Sequence, residues 1–255
     1  VKIGIIGIGF LGAPVAKHLV AAGHHVKVTN TRQPEELARM AREQGASPAL
    51  LQEVGQDVDV LISSLNLNVL AASPQDLKDL FQSLPADVIV ADTGNYIPFQ
   101  DGRIEAQEQG PVEGLWVAEQ LGRPVTKFLN NLLAETIVEG GTPAGPFGRI
   151  ALAPAGDDQR AKQVLTALSN DLGFDAVDAG SPAESWASAA RHAGRPHRAD
   201  GRGADRCPGQ QGSDGPGARA YHKRDVPAAR TRTREVIVAT ERTALHNAKQ
   251  HVLRA

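Results

Sequence analysis

The chain has 255 residues, enough for one large α/β domain or two small ones, and its 27 Lys+Arg against 29 Asp+Glu leave a formal charge of −2. That balance argues against a protein that works as a whole on nucleic acid or at a membrane surface. No run of about 18 apolar residues and no signal-like amino terminus appears, so a soluble, cytoplasmic protein is expected. A single cysteine, Cys207, excludes an internal disulfide and a thiolate zinc cage.

Residues 1–6 form a short β-branched run that ends in glycine, the pattern of a buried strand. Val15, Leu19 and Val20 then recur at helical spacing, with Pro14 in the first turn and Gly23 at the stop. A second strand is expected over residues 25–29, and a second helix runs from Pro34, Glu35 and Glu36 to Gly45. The rhythm continues through residues 58–65, a helix started at Ser73-Pro74, and residues 87–92. Beyond them a helix carries Leu115, Trp116 and Leu121, and strands are expected at 124–128 and 149–153. A helix with Ala161, Val164, Leu165 and Leu168 follows Gly156-Asp157-Asp158, with a last strand near 174–177. Strands alternating with helices of about ten to fifteen residues predict a Rossmann-like, doubly wound α/β fold, a mostly parallel sheet with helices on both faces.

The averages conceal a break after Trp186. Residues 1–186 carry 13 Lys+Arg against 23 Asp+Glu, a net of −10, whereas residues 187–255 carry 14 against 6, a net of +8. Residues 187–225 contain no Val, Ile, Leu, Met or Phe and cannot bury enough apolar area to offset their ordering entropy. The expectation is a folded domain over 1–186 and a basic, low-hydrophobicity, poorly ordered tail over 187–255, with at most a short element in 235–253.

Gly7-Ile8-Gly9-Phe10-Leu11-Gly12 is a GxGxxG directly between a predicted strand and a predicted helix. In that context Gly7 allows a tight turn, Gly9 lets bare amides approach a pyrophosphate, and Gly12 permits close helix-to-strand packing. The helix start adds N–H groups and the positive end of its dipole. The competing reading is a glycine turn with no ligand. The second strand does not end in the Asp or Glu that reads a ribose 2′-hydroxyl; Asn30-Thr31-Arg32 stands there instead. A hydroxyl and a guanidinium suit a 2′-phosphate, so NADP(H) is favoured over NAD(H), with an exposed loop arginine as the bland alternative.

Ligands gather at the carboxyl ends of parallel strands. Ser63, Ser64, Leu65 and Asn66 end one strand and should lie beside the nicotinamide. Asp92-Thr93-Gly94-Asn95-Tyr96 ends the next, although Asx and Gly are also ordinary turn formers. Lys127, Asn130 and Asn131 end a third. Lys127 is expected to be a solvated surface lysine, with proton donation or anion binding as the functional alternative. His18, His24 and His25 lack acids at metal-ligand spacing and are read as structural, with no metal site expected; Trp116 and Trp186 are read as packing residues. No GxSxG elbow and no GxxxxGK[ST] loop is present.

Over residues 1–186 the chain resembles the NADP oxidoreductases that use the deazaflavin coenzyme F420, and the bacterial dinucleotide-binding proteins related to them. The residues that carry the likeness are the opening KIGIIGIGFLG, the T-x-R after the second strand, DTGNY with Pro98 and Asp101-Gly102-Arg103, and Gly122-Arg123-Pro124-Val125 to Lys127 and Asn130. The Gly156-Asp157-Asp158 turn and Asp178-Ala179-Gly180 complete it. The resemblance implies a Rossmann-like domain holding NADPH along Gly9, Phe10, Leu11, Thr31 and Arg32, with hydride passing to a stacked deazaflavin (F420), a flavin or another small acceptor. Such chemistry needs orientation more than acid–base help, and no side chain stands out as catalytic. A non-catalytic NADPH-binding sensor is the alternative. The expected partner is a small redox acceptor, a homodimer stays open, and nucleic acid and membrane are not expected.

The carboxyl-terminal part departs from the family. After a Glu-Ser-Trp like Glu184-Ser185-Trp186, relatives continue with a segment resembling RQQPGTP and then a helix. Residues 187–194 can be encoded GCG TCA GCA GCC CGG CAC GCC GGC, and removing the first G gives codons for RQQPGTP. A one-base frame shift therefore accounts for the tail, a hypothesis that an unambiguous gene sequence and close homologues with the same tail would end.

Overall fold

A computed structural model of the protein describes residues 1–109, 112–142 and 149–183. Its centre is a six-stranded, wholly parallel sheet built from β1 (Lys2–Ile6), β2 (His25–Thr29), β3 (Ser47–Pro48), β4 (Val60–Ser63), β5 (Ile89–Asp92) and β6 (Thr126–Lys127). The strand order is β3-β2-β1-β4-β5-β6. The order reverses direction at β1, so the crevice at the carboxyl ends of β1 and β4 is a topological switch point, where open α/β sheets bind ligands.

Alternate residues of each strand enter opposite cores, as period-two geometry requires. Ile3, Ile5, Val26, Val28, Val60, Ile62, Ile89 and Ala91 face one cluster. It is closed by α1 (Gly12–Ala21), α2 (Pro34–Glu43) and α9 (Gln159–Asp171) through Val15, Leu19, Leu37, Ala41, Leu165 and Leu168. Ile6, Leu61 and Val90 face the other cluster, closed by α3 (Leu67–Ala71), α4 (Gln75–Ser83) and α7 (Glu113–Leu121) through Leu67, Leu70, Leu80, Phe81, Trp116 and Val117. The doubly wound α/β fold is as the sequence predicts. Gly23 and Gly45, both at positive φ, follow the helices they were expected to stop, and Gly122, also at positive φ, ends α7.

Four findings differ from the sequence reading. The runs at 149–153 and 174–177 do not extend the main sheet: β7 (Ala151–Leu152) and β8 (Asp175–Ala176) pair in parallel with each other. An isolated antiparallel bridge from Lys127 to Ala155 joins this pair's approach to the main sheet, leaving the expected strand at 124–128 only two residues of parallel pairing. The short α3, α5 (Pro98–Asp101), α6 (Glu105–Gln109) and α8 (Ala134–Glu139) were not foreseen, because four to six residues are too few to establish a helical period. Edge strand β3 was missed too; its Pro48 is tolerated because an edge has no second ladder to supply. The expectations for Glu184, Trp186, Cys207 and the tail lie outside the described residues.

Candidate dinucleotide site

Each glycine of the turn after β1 answers a different steric demand. Gly7 adopts φ +95° and donates its N–H to Thr29 O at 2.9 Å, tying the turn to the end of β2. A Cβ on Gly7 would stand 2.3 Å from Ser64 O, and one on Gly12 would stand 1.9 Å from Gly7 O, so neither position admits a side chain. A Cβ on Gly9 would meet nothing within 4 Å, and Gly9 is exposed. The main chain is thus bare on its outer side at Gly9. Ile8 is buried in the first core and can offer only backbone to a ligand, Leu11 is half-buried against that core, and Phe10 projects outward, 71% exposed.

The start of α1 completes the cradle. Its first turn has no side-chain cap and no acidic residue; Ala13 N is bonded to Gly9 O at 3.1 Å and Pro14 carries no N–H, so an anion would meet the amides of the turn ahead of them and the positive dipole end. A diphosphate fits these features, since it would be approached by amides with no Cβ and no carboxylate in the way.

At the end of β2, Thr31 and Arg32 are exposed. Asn30 Oδ1 accepts the Arg32 N–H at 3.0 Å, and Asn30 Nδ2 lies 3.9 Å from Met40 Sδ. Asn30 therefore shapes the turn with its side chain and presents Thr31 and Arg32 as the outward pair. Arg32 Nη1 already holds Glu36 Oε1, four residues on in the first turn of α2, at 2.5 Å. The predicted reader of a 2′-phosphate thus has a built-in acidic competitor that the sequence reading overlooked.

The end of β4 lies against the glycine turn. Ser64 donates its N–H to Ile6 O at 2.8 Å, and Leu65 Cδ2 stands 3.6 Å from a Cβ built on Gly7. Ser64 is thus brought beside Gly7 and Gly12, and Leu65 beside Gly7. Asn66 is exposed and accepts Gln100 Nε2 at 3.0 Å, linking the end of β4 to α5. The segment after β5 is pinned throughout: Ile97 N donates to Asp101 Oδ2 at 2.9 Å, and Ile104 N donates to the Tyr96 hydroxyl at 3.1 Å.

Lys127 is the largest correction. It is 1% exposed, not solvated. Its ammonium donates to Asp92 Oδ2 at 2.5 Å, Gly94 O at 2.5 Å and Glu113 Oε1 at 2.8 Å. Glu113 Oε2 in turn accepts Tyr96 N at 2.6 Å, so one buried cation fixes both ends of the Asp92–Tyr96 segment. Burial pulls the lysine pKa down, but the two carboxylates and their hydrogen bonds overcome it and hold the group above its usual value. Asp92 moves above the usual carboxylate range because burial outweighs the attraction of Lys127, and Glu113 adds to the rise. All three donor positions of Lys127 are occupied, which makes it a structural clamp and not an anion-binding or proton-donating group.

Asn95 and Asn130 meet beside this clamp: Asn95 Nδ2 donates to Asn130 O at 2.7 Å. Asn131 is turned elsewhere and holds the approach to β7 through Ala151 O at 3.1 Å. Other residues of the family resemblance do structural work. Arg123 caps α4 through Leu84 O at 2.6 Å and Pro85 O at 2.9 Å, Asp158 caps α9, and Asp178 binds Lys162 Nζ at 2.8 Å. That bond holds the Asp178 carboxyl below its usual range. His24 links Asp171 at 3.1 Å to the amino-terminal group, in keeping with a structural role.

Strand order, glycine turn and helix start together define a Rossmann-type domain of the dinucleotide-binding class. More particularly, residues 2–96 match the model of the family described as NADP oxidoreductase, coenzyme F420-dependent. The chain is similar in structure to the hypothetical protein SMa0349 from Sinorhizobium meliloti, with 26% identity over 72% of this chain and 87% of that one and a TM-score of 0.59. A proposed F420-dependent NADP-reductase from Arthrobacter sp. FB24 shares the fold at 22% identity, 73% and 88% coverage and a TM-score of 0.55. A 44-residue stretch is 57% identical to the YjhV protein of Escherichia coli (strain K12), covering 17% of this chain and 32% of that relative. The chain thus matches about a third of the curated relative's length. Among the described residues no helix is long and apolar enough to cross a membrane.

Proposed function

We propose that the protein is an NADPH-dependent oxidoreductase that transfers a hydride between NADP(H) and a second small redox compound, a deazaflavin or flavin by family likeness, in a reducing cytoplasm. The carrying observation is the turn of residues 7–12, in which Gly7 and Gly12 are sterically obligatory while Gly9 is bare toward solvent. The resident dinucleotide would supply the hydride. Gly9, Phe10, Leu11 and the start of α1 would hold its diphosphate through main-chain amides, with Ile8 anchoring the turn in the core. Thr31 and Arg32, set by Asn30, would take the 2′-phosphate. Ser64, Leu65, Asn66 and Asn95, which follow the carboxyl ends of β4 and β5, would border the nicotinamide end. The chain's contribution is orientation and proximity, which suits a direct ring-to-ring transfer.

The test is NADPH oxidation by the full chain with deazaflavin, flavin, quinone, ferric and aldehyde acceptors. Turnover with one of them supports the reading. Tight NADPH binding with no turnover across the panel would instead make the protein a sensor, and no binding of either nicotinamide dinucleotide would remove the function altogether.

A further inference from the structure

We infer that Asn130, together with Asn95, forms a carboxamide-reading subsite that receives the amide of the nicotinamide ring. The inference deepens the dinucleotide reading above and rests on it.

Asn130 is 4% exposed, yet neither Oδ1 nor Nδ2 has a hydrogen-bond partner. Asn95 Oδ1 is also buried without a partner, although its Nδ2 is spent on Asn130 O. Buried polar groups are nearly always paired, so three unpaired atoms on two touching residues form an unusual concentration. Exchanging O and N of Asn130 leaves the set unchanged, because both atoms are unpaired.

The location is specific. Asn95 and Asn130 each follow a strand end by three residues, and Asp92 and Lys127 are register partners on β5 and β6. These strands lie on the β4 side of the switch point, opposite to β2, whose end carries Thr31 and Arg32. A dinucleotide laid across the switch point puts its two ends on these two sides. Leu129 holds φ +64°, a conformation rarely adopted by a bulky residue, directly before Asn130. The clamp by Lys127 on Asp92, Gly94 and Glu113, and through Glu113 on Tyr96 N, fixes the other partner from beneath.

The unpaired set is one amide donor group and two carbonyl acceptors. An anion would be offered two acceptors at close quarters and is disfavoured. A primary carboxamide satisfies the set: its oxygen accepts from Asn130 Nδ2, and its NH₂ donates to Asn130 Oδ1 and Asn95 Oδ1.

The test is calorimetry on the full chain with three probes: NADP⁺, its 3-acetylpyridine analogue, which lacks the amide NH₂, and 2′-phospho-ADP-ribose, which lacks the ring. Wild-type protein should bind NADP⁺ about tenfold more tightly than the analogue, the equivalent of about 1.4 kcal/mol. Asn130→Leu should shrink that preference while leaving 2′-phospho-ADP-ribose affinity unchanged, and Asn130→Asp, which keeps an acceptor for the NH₂ but loses the donor to the carbonyl that both ring-bearing probes share, should weaken both of them and keep the preference. Equal weakening of all three probes, or no change in the preference in Asn130→Leu, overturns the subsite. If wild-type protein binds none of the probes, the dinucleotide reading itself has failed; if it binds 2′-phospho-ADP-ribose and shows no preference between the ring-bearing probes, only the subsite has.

Discussion

The two ends of the candidate site are built from opposite materials. At β1 and β2 the site is exposed main chain: a bare turn at Gly9, the uncapped start of α1 and the loop pair Thr31 and Arg32. At β5 and β6 it is buried side chain, a lysine between two carboxylates with Asn95 and Asn130 alongside. The first end can recognise a phosphate at little cost to the fold, because the groups it offers already face water. The second binds its elements together with charges removed from water, so changes there strike stability before they strike binding.

The largest effect should therefore come from Lys127→Met. Removing the ammonium leaves Asp92 and Glu113 buried without their cation, and breaking a buried pair in this way costs about 3–5 kcal/mol. Asp92→Asn, which leaves Lys127 bound to Glu113, should cost clearly less. Urea unfolding of both variants checks the order; near-equal, small losses would show that the cluster is not the clamp described.

Within the glycine turn, stability and binding should separate. Gly12→Ala drives a Cβ to 1.9 Å from Gly7 O and should cost about 1–3 kcal/mol of stability through overpacking. A Cβ on Gly9 meets no atom within 4 Å, so the unfolding midpoint of Gly9→Val should stay near wild type while NADP⁺ binding is lost. A Gly9→Val protein that binds NADP⁺ normally would place the diphosphate elsewhere. At the outer corner, Arg32→Ala should weaken NADPH by about 1.5–3 kcal/mol and NADH little, the cost of a charged hydrogen bond. Equal losses for the two cofactors would deny Arg32 the 2′-phosphate.

The same contrast explains what could be read in advance. The glycine turn is local: strand, turn and helix are contiguous, each glycine answers a backbone demand, and Asn30, Thr31 and Arg32 follow within the next strand-turn unit. The Lys127 clamp joins residues up to 35 positions apart, and taken alone Lys127 resembles any polar residue at a strand end. One signal was available. Glu113 precedes Trp116 and Val117 by three and four residues, which puts a carboxylate on the apolar face of α7, and an acid there needs a buried cation. Asn130 had no such marker, because its surroundings arise from the left-handed Leu129 and from a loop 35 residues earlier in the chain. β7 and β8 were legible as strands but not as a separate sheet, since pairing partners are not written in local pattern.

The smallest effect sharpens the exposed end. Glu36 holds Arg32 from the first turn of α2, with the guanidinium 52% and the carboxylate 38% exposed. A solvent-screened pair of this kind is worth about 0.2–1 kcal/mol, which a 2′-phosphate must overcome or share. Glu36→Gln keeps the chain length and a hydrogen-bonding oxygen but removes the competing charge, so NADPH affinity should rise by no more than that amount while NADH affinity stays unchanged. Titration at low and at high salt provides the check, because the gain should shrink as added ions screen the corner. A loss of NADPH affinity in Glu36→Gln would mean that the carboxylate positions Arg32 for the phosphate more than it competes with it, and the pair would then be part of the reader.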